Sequence, residues 1–212
     1  MAEIRILLAD DHAMFREGLR QVLGADPRMM VVAEAASGSE LLALAKAHQP
    51  DVVLLDVSMP GRGGLEALED LKRWNRGVKV LMLTAHPEDR FAVRCLKMGA
   101  DGYMTKEEAG EALLEAIIRI SAGGKYISSE LAEKLALELS GEMVSRPHDA
   151  LSGRELQVLH MLGSGKGITQ IGDELCLSVK TISTYRSRIL QKLHLETTAE
   201  LIRYALEEGL TL

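Results

Sequence analysis

Five short apolar runs alternate with five helical patterns over the first 120 residues, and this alternation restricts the fold more than any other feature of the sequence. The runs span residues 4–9, 29–35, 52–55, 78–83 and 102–104, and the helical patterns span residues 14–23, 40–47, 65–74, 89–98 and 107–121. Strands that alternate with helices form parallel sheets with helices on both faces. Runs that are apolar throughout, such as VVLL at 52–55, suit a sheet that is buried on both sides. The pattern predicts an α/β domain with a five-stranded parallel sheet and right-handed crossovers.

The rest of the chain is predicted to be helical and to form a second domain. Residues 128–140 have helical spacing, and the next segment, SGEMVSRPHDA at 140–150, breaks it and is predicted to be an exposed linker. A short helix at 169–175 and a longer one at 178–193, with a tight turn between them, form the pattern of a helix-turn-helix. We therefore predict an α/β domain over 1–122, a linker with a helix over 123–150, and an all-α helix-turn-helix domain over 151–212.

Composition agrees with a folded protein outside the membrane. Hydrophobic residues make up 47% and charged residues 26% of the 212, which argues against disorder. The apolar runs are far shorter than the ~20 residues that span a bilayer, and the two isolated cysteines, Cys95 and Cys176, indicate reduced thiols. We therefore expect a cytoplasmic protein with no membrane segment. Although the net charge is −6, residues 178–193 contain no acid and several basic side chains, which indicates a polyanionic partner for that segment.

Polar side chains are predicted to meet at one edge of the sheet. Asp10 and Asp11 follow the first strand, Asp56 follows the third, Thr84 ends the fourth and Lys106 follows the fifth. The carboxyl ends of parallel strands form the edge at which α/β proteins bind ligands, so these groups should share a crevice. Close carboxylates need a cation, and oxygen ligands favour Mg²⁺. A carboxylate can also act as a nucleophile and become an aspartyl phosphate, with a lysine and a hydroxyl against the phosphoryl oxygens.

The first 120 residues resemble the receiver domain of response regulators, which has the flavodoxin-like fold of CheY. The matching residues are the Asp10-Asp11 pair, LLDVSMPGRGG at 54–64, LTA at 83–85 and GYMTK at 102–106. The resemblance implies that Asp56 is the phosphoacceptor. It implies that Mg²⁺ is held by Asp10, Asp11, Asp56 and the carbonyl of Ser58. It further implies that the phosphate-contacting and switch residues are Thr84, Ala85, Tyr103 and Lys106, and that Ser58 and His86 tune dephosphorylation.

The second half resembles the LuxR-type helix-turn-helix of NarL/FixJ regulators. The matching residues are LSGRELQVL at 151–159, the Gly-Lys-Gly break at 165–167, Ile171, Leu175, LSVKTIS at 177–183 and KL at 192–193. In the recognition helix, one apolar stripe is predicted to pack inward and consists of Val179, Ile182, Ile189 and Leu193. The residues predicted to contact DNA are Lys180, Thr181, Ser183, Thr184, Arg186, Ser187, Arg188 and Lys192. In the family the last helix also forms the dimer contact on DNA, here predicted at Leu201, Ile202 and Ala205.

Together the two resemblances imply a two-component response regulator that controls transcription. The implied partners are a sensor histidine kinase, double-stranded DNA with inverted-repeat sites, RNA polymerase, and a second copy of the chain on activation. We do not expect an enzyme, since a receiver catalyses only its own phosphorylation and dephosphorylation. Two alternatives stay open: a DNA-binding regulator controlled by a partner or ligand without phosphorylation, and a metal-dependent phosphohydrolase with Asp56 as nucleophile.

Overall fold

The structure of the chain is a computed structural model, which describes residues 3–59, 63–85, 89–139 and 146–210. The chain divides into two compact units, Met1–Glu142 and Met143–Leu212. The first unit contains the sheet and the second is helical. This confirms the predicted combination of an α/β domain and an all-α domain.

The first unit is a five-stranded parallel sheet flanked by helices. Its elements, in chain order, are β1 (Ile4–Ala9), α1 (Ala13–Gly24), β2 (Met29–Ala35), α2 (Gly38–His48), β3 (Val52–Asp56), α3 (Gly64–Trp74), β4 (Lys79–Thr84), α4 (Asp89–Lys97), β5 (Gly102–Thr105), α5 (Ala109–Ser121) and α6 (Ser129–Leu139). The strand order is β2-β1-β3-β4-β5, and all neighbours are parallel. The prediction of a flavodoxin-like receiver fold is confirmed.

Two apolar clusters cover the two faces of this sheet. Leu7 and Leu55 belong to one cluster, whereas Leu8 and Leu54 belong to the other. Neighbouring residues separate in this way because side chains alternate between the faces of a strand. Every residue of the central strand β3 is buried, so the carboxyl end of this strand is held rigidly in the middle of the sheet edge.

The chain after α5 continues the first unit. Tyr126 pairs with the outer edge of β5: its amide donates to the Asp101 carbonyl at 3.1 Å, and its carbonyl accepts from the Tyr103 amide at 3.0 Å. Gly102 permits this approach, because a Cβ there would lie 3.0 Å from the Tyr126 carbonyl oxygen. The helix α6 then packs against α4, and its Leu131 is buried. This segment therefore covers the edge of the sheet beside β5.

The second unit consists of a 3₁₀ turn (Pro147–Ala150) and the helices α7 (Gly153–Gly163), α8 (Ile168–Glu174), α9 (Val179–Leu193) and α10 (Thr198–Glu207). Capping boxes begin α7 at Ser152 and α10 at Thr197. The turn between α8 and α9 is tight: the Leu177 amide donates to the Gly172 carbonyl at 2.8 Å, and a Cβ at Gly172 would lie 2.8 Å from the Leu177 carbonyl oxygen. These helices have the order and the short turn predicted for a helix-turn-helix.

Both ends of the predicted linker are packed parts of the two units. Residues 123–139 lie in the first unit. In the second unit His148 is buried, and its Nδ1 lies 2.7 Å from the Tyr204 hydroxyl on α10. The prediction of an exposed linker is therefore wrong at His148, which packs against α10, whereas Pro147 and Ala150 are exposed as predicted. Residues 140–145 of that segment lie outside the described residues.

The inward stripe predicted for α9 is also corrected at one position. Ile182, Ile189 and Leu193 are buried as predicted, but Val179 is 49% exposed. Val179 is the first residue of α9, and the Cα–Cβ bonds of a helix tilt towards its amino terminus. Its side chain therefore points past the end of the helix rather than into the core.

Candidate functional site

The strand ends bring acidic and basic side chains together at the carboxyl edge of the sheet. Asp10 directly follows β1 and Asp56 ends β3, and both carboxylates are buried, at 1% exposure. Thr84, at the end of β4, is also buried, and Lys106 follows β5. Asp11 lies beside them but is exposed. The residues that sequence reasoning placed in one crevice are therefore neighbours.

Lys106 connects the two buried carboxylates. Its Nζ lies 2.7 Å from Asp10 Oδ2 and 3.2 Å from Asp56 Oδ2, and it is 4.8 Å from the centre of the Phe15 ring. Its amide donates to the Thr84 carbonyl at 2.7 Å, which fixes the backbone next to β4. Burial alone lowers the pKa of Lys106, but the charges of Asp56 and Asp10 outweigh burial and raise it. The lysine is therefore a positive charge aimed at both acids.

The acids carry more negative charge than Lys106 neutralises. Burial and the charge of Asp10 raise the pKa of Asp56 to about 6, even though Lys106 and the Ser58 amide lower it. Asp10, Asp11, His12 and Asp56 each offer one ligand atom, and these atoms all lie within 4.8 Å of one another. Converging carboxylates with excess negative charge fit a hard divalent cation, so the donor set suits the predicted metal site.

The backbone around Asp56 depends on a glycine that sequence reasoning missed. A Cβ at Gly64 would lie only 2.1 Å from the Asp56 carbonyl oxygen and 2.8 Å from the Val57 Cα. The Gly64 amide donates to the Val57 carbonyl at 3.1 Å, and the Val57 amide donates to the Leu83 carbonyl at 2.9 Å. The start of α3 therefore packs directly on the loop that follows Asp56. The repeated glycines of GRGG were the available signal, although residues 60–62 lie outside the described residues.

Arg16 was also missed as a support for the acid pair. Its Nη1 donates to the Asp10 carbonyl at 2.6 Å, and its Nε lies 3.2 Å from Glu34 Oε2. The side chain therefore ties α1 to the loop that holds Asp10. No motif in the sequence showed this role, since it depends on a contact between α1 and β2.

The remaining predicted switch residues have different surroundings. Tyr103 lies on β5, opposite Met82 of β4, and its side chain is buried in the apolar cluster beside α4. Ala85 and Ser58 are exposed. His86 lies outside the described residues. The structure thus places Tyr103 inward, and its amide is bonded to the Tyr126 carbonyl.

In the second unit, α9 presents a polar and basic surface. Lys180, Thr184, Ser187 and Arg188 are exposed, while Thr181, Ser183 and Arg186 are partly buried. The Thr184 hydroxyl donates to the Lys180 carbonyl at 2.9 Å, and the Ser187 hydroxyl donates to the Ser183 carbonyl at 3.0 Å. These hydroxyls keep lone pairs free to accept from a ligand. The helix therefore offers cations and hydroxyls on the side opposite its apolar stripe.

Lys192, predicted to contact DNA, already has partners within its domain. Its Nζ lies 2.6 Å from Glu155 Oε2 and 3.3 Å from the Ala150 carbonyl oxygen. Glu155 is buried and also closes the capping box of α7. Its carboxylate needs a positive partner there, so Lys192 holds α9 against α7. The Lys192 side chain is still 40% exposed, so its contact with DNA stays a prediction.

The predicted dimer contact on α10 is wrong at two of its three residues. Leu201 and Ala205 are 0% exposed within a single chain, so they cannot contact a second one. Ile202 is partly buried, and Leu206, one turn later, is 60% exposed. Leu201 and Ala205 form one i, i+4 stripe that packs on the domain, whereas Ile202 and Leu206 form the neighbouring, outward stripe.

Comparisons with known proteins identify the family. The family model described as the response regulator receiver domain matches residues 6–118, and the one described as bacterial regulatory proteins, luxR family, matches residues 149–205. The response regulator GacA of Pseudomonas aeruginosa is 41% identical over 208 residues, which cover 98% of this chain and 97% of GacA. The chain belongs to the LuxR-type response regulators.

Further similarities extend over the whole response regulator. UvrY of Escherichia coli strain K12 is 38% identical over 208 residues, covering 98% of this chain and 95% of UvrY. A structure of RcsB from Salmonella typhimurium has a TM-score of 0.69 and 25% identity over 100% of both chains. A structure of two RcsB dimers bound to two parallel DNAs has a TM-score of 0.59 and 25% identity, covering 95% of this chain and 97% of RcsB. The predicted resemblance to NarL/FixJ regulators is confirmed.

Its family membership defines what this response regulator does at a coarse level. A receiver joined to a LuxR-type DNA-binding domain regulates transcription in response to phosphorylation within a two-component system. Among the described helices of the regulator, none is long and apolar enough to cross a membrane.

Proposed function

We propose that Asp56 is the phosphoacceptor of this response regulator. An Asp56 carboxylate oxygen attacks the phosphorus of a phosphohistidine on a sensor histidine kinase, or of a small donor such as acetyl phosphate. A P–O bond forms to Asp56 while the donor's P–N or P–O bond breaks, and the leaving group keeps the electron pair. The observation that carries the proposal is the position of Asp56, at the end of the central strand with Lys106 Nζ 3.2 Å from its Oδ2.

The acid cluster fits a resident Mg²⁺. We infer that Asp10, Asp11, Asp56 and the Ser58 carbonyl would hold it. The raised pKa of Asp56 supports this fit, since it reflects burial and the charge of Asp10 that Lys106 does not neutralise. When bound, Mg²⁺ supplies positive charge against the phosphoryl oxygens.

The chain's own residues then stabilise and transmit the phosphorylated state. The Lys106 ammonium, already beside Asp56, pairs with a phosphoryl oxygen, and the Thr84 hydroxyl donates to another. Thr84 and Ala85 move towards the phosphoryl group, and Tyr103 responds within the buried space beside β4. The added charge biases a two-state element in this way. Phosphorylation and its reversal are the only chemistry proposed, so the regulator is not an enzyme acting on a separate substrate.

We propose α9 as the helix that reads double-stranded DNA. The hydroxyls that lie towards base edges are those of Thr181, Ser183, Thr184 and Ser187. Lys180, Arg186 and Arg188 contact phosphates. Lys192 also faces solvent on this helix, but it contributes less than the other cations because its ammonium already contacts Glu155 and the Ala150 carbonyl. The activated regulator forms homodimers on inverted-repeat sites through the outward stripe of α10, and in the cytoplasm it controls RNA polymerase at those promoters.

The phosphoacceptor is tested by intact mass after incubation with acetyl phosphate and Mg²⁺. One phosphoryl adduct is expected on the wild type and none on Asp56→Ala. Asp51→Asn, which changes the exposed acid directly before β3, should keep the adduct. An equal adduct on Asp56→Ala would refute the assignment. A wild type that binds no beryllofluoride and gives no adduct would favour the alternative of control without phosphorylation.

The DNA surface is tested with a mixed-sequence 30-base-pair duplex by fluorescence anisotropy at two salt concentrations. Arg188→Ala should weaken binding and reduce the salt dependence, because one phosphate contact is lost. Arg203→Ala is the matched control, since Arg203 is an exposed cation on α10. Equal losses for both variants would show that α9 is not the DNA-binding helix.

A further inference from the structure

A histidine lies directly against the acid cluster. His12 Nδ1 is 2.9 Å from Asp11 Oδ1 and 3.1 Å from Asp10 Oδ1. The His12 amide also donates to Asp10 Oδ1 at 2.8 Å, which holds the residue beside the strand end. The ring is 65% exposed, so it can turn without disturbing the core. Its nitrogen is thus one of the four ligand atoms that lie within 4.8 Å of one another.

The buried carboxylate of Asp56 lacks a full set of hydrogen-bond partners within the described residues. Asp56 is 1% exposed, and within the described residues no hydrogen bond of ordinary length and angle reaches either of its carboxylate oxygens. Lys106, at 3.2 Å, is the cation beside Oδ2. Buried carboxylate oxygens are normally satisfied, so these oxygens are suited to a further positively charged ligand.

The types of ligand atom at the site determine which cations bind more tightly when the histidine is a ligand. Mg²⁺ takes oxygen ligands and keeps several waters, so an imidazole adds little to its binding. Mn²⁺, Zn²⁺ and related transition-metal ions accept imidazole nitrogen together with carboxylate oxygen. A site of three carboxylates and one imidazole therefore differs from an all-oxygen site in the ions that it prefers.

We propose that His12 is a nitrogen ligand of the receiver's acid site, so that the regulator binds a transition-metal dication with Asp10, Asp11 and Asp56. The proposal rests on the proposed function for the location of the metal site, but not for phosphorylation. It adds a ligand that shifts metal preference from Mg²⁺ towards ions such as Mn²⁺. The identity of the bound ion then depends on which dications are available to the regulator.

The experiment uses the full-length chain and Mn²⁺ alone as the probe. Mn²⁺ affinity is measured by electron paramagnetic resonance, Mg²⁺ affinity by competition, and bound nitrogen by electron spin echo envelope modulation. The wild type should show ¹⁴N modulation. His12→Asn should lose that modulation and weaken Mn²⁺ binding about tenfold, with Mg²⁺ binding changed less than about twofold. His194→Asn is the matched control: His194 is an exposed histidine with φ 56°, a conformation that Asn tolerates.

The outcomes separate this proposal from the phosphoacceptor assignment. Wild-type chain with bound Mn²⁺ but no ¹⁴N modulation, or an unchanged Mn²⁺ to Mg²⁺ preference in His12→Asn, overturns the role of His12. If acetyl phosphate and Mg²⁺ still give an adduct on the same wild-type sample, the proposed function survives that result. Mn²⁺ binding that is unaffected by Asp56→Ala overturns both the His12 ligand and the metal site.

Discussion

The ionised carboxylate of Asp56 destabilises the folded receiver, because it is buried beside a second acid. Burial and the charge of Asp10 raise its pKa from 3.8 to about 6. The folded state therefore holds the proton more tightly than the unfolded state does. The proton on Asp56 therefore contributes stability to the folded state, which is fully present below about pH 4 and is lost as the pH rises through about 6. The difference corresponds to at most about 3 kcal/mol, at 1.36 kcal/mol per pH unit.

Removing that charge should stabilise the regulator. Without divalent cations, we expect Asp56→Asn to raise the free energy of unfolding at pH 8 by up to about 3 kcal/mol. Near pH 4 the gain should disappear, because the wild-type carboxyl is then protonated. Urea denaturation measures the gain at pH 8 and its absence at pH 4. Asp51→Asn, which changes an exposed acid directly before the same strand, should show no gain. A gain that is equal at both pH values would contradict an origin in the Asp56 charge.

Gly64 should be indispensable for the loop after Asp56. Gly64→Ala places a Cβ 2.1 Å from the Asp56 carbonyl oxygen, so the loop must move, and we expect a loss of at least about 1 kcal/mol of stability and slower phosphorylation by acetyl phosphate. Gly18→Ala is the control, because nothing lies within 4 Å of a Cβ there and Ala is favoured by about 1 kcal/mol inside a helix. Chemical denaturation and intact-mass time courses measure the two effects. Normal phosphorylation in a Gly64→Ala chain would mean that the contact does not position Asp56.

The sequence predicted the acid site well because strand ends are visible as the ends of apolar runs. Asp10, Asp56 and Lys106 each follow such a run, and parallel strands bring those ends to one edge. Gly64 could not be found in this way, because its role depends on how closely α3 approaches the Asp56 loop. The dimer contact failed for a related reason. Two i, i+4 stripes run along α10, and apolarity alone does not distinguish the stripe that packs inward at Leu201 from the one that faces outward.

At the scale of elements, Lys192 and Glu155 fix α9 to the beginning of α7. Burial alone raises the pKa of Glu155, but hydrogen bonds from Lys192 and Ser152 outweigh burial and lower it. A lowered pKa means that the pair stabilises the fold above the ordinary carboxyl pKa of 4.5 and that this contribution is lost as the pH falls below it. The position of α9 therefore depends on a charge pair inside its own domain.

One lysine variant and one arginine variant on α9 should separate an effect on stability from an effect on DNA binding. We expect Lys192→Met to lower the unfolding free energy of the second unit by about 1–3 kcal/mol at pH 7, because Glu155 loses its cation. At pH 4 the unfolding free energy should fall by less. Arg188→Ala should stay within about 0.5 kcal/mol of the wild type, yet bind the mixed-sequence duplex more weakly. Thermal denaturation and anisotropy on the same samples measure both. An unchanged melting temperature for Lys192→Met would show that this lysine does not hold α9 in place.

The helix α6 shows where element prediction stops. The helical pattern of the sequence predicts residues 128–140, and the structure has Ser129–Leu139. The prediction of a linker here missed the packing of this segment. Leu131 is buried on α6, which packs against α4, and Tyr126 pairs with the edge of β5. Both contacts join residues that are distant in sequence. Periodicity reports that a helix exists, whereas the partner of its apolar face is a tertiary property. As a result, the receiver continues past α5 and covers the strand that bears Tyr103.

At the scale of the whole molecule, the proposed output is an assembly of two chains on DNA, and α10 offers the surface for it. Leu206 is 60% exposed and follows Ile202 on the outward stripe. A two-fold contact places each residue of the patch near its counterpart in the second chain. A charge at Leu206 would therefore meet either the same charge or apolar surface, and both are unfavourable.

We expect Leu206→Asp to bind DNA as single chains. The fold should be unaffected, because substitutions at exposed positions change stability by less than about 0.5 kcal/mol. The probe is a duplex enriched by the beryllofluoride-activated wild type from a random-sequence pool, and native mass spectrometry counts the chains on it. The wild type and Leu206→Met should give two chains per duplex at concentrations where Leu206→Asp gives one. Two chains per duplex for Leu206→Asp, at unchanged concentration, would place the contact between DNA-bound copies away from α10, since neither Leu201 nor Ala205 is exposed enough to replace it.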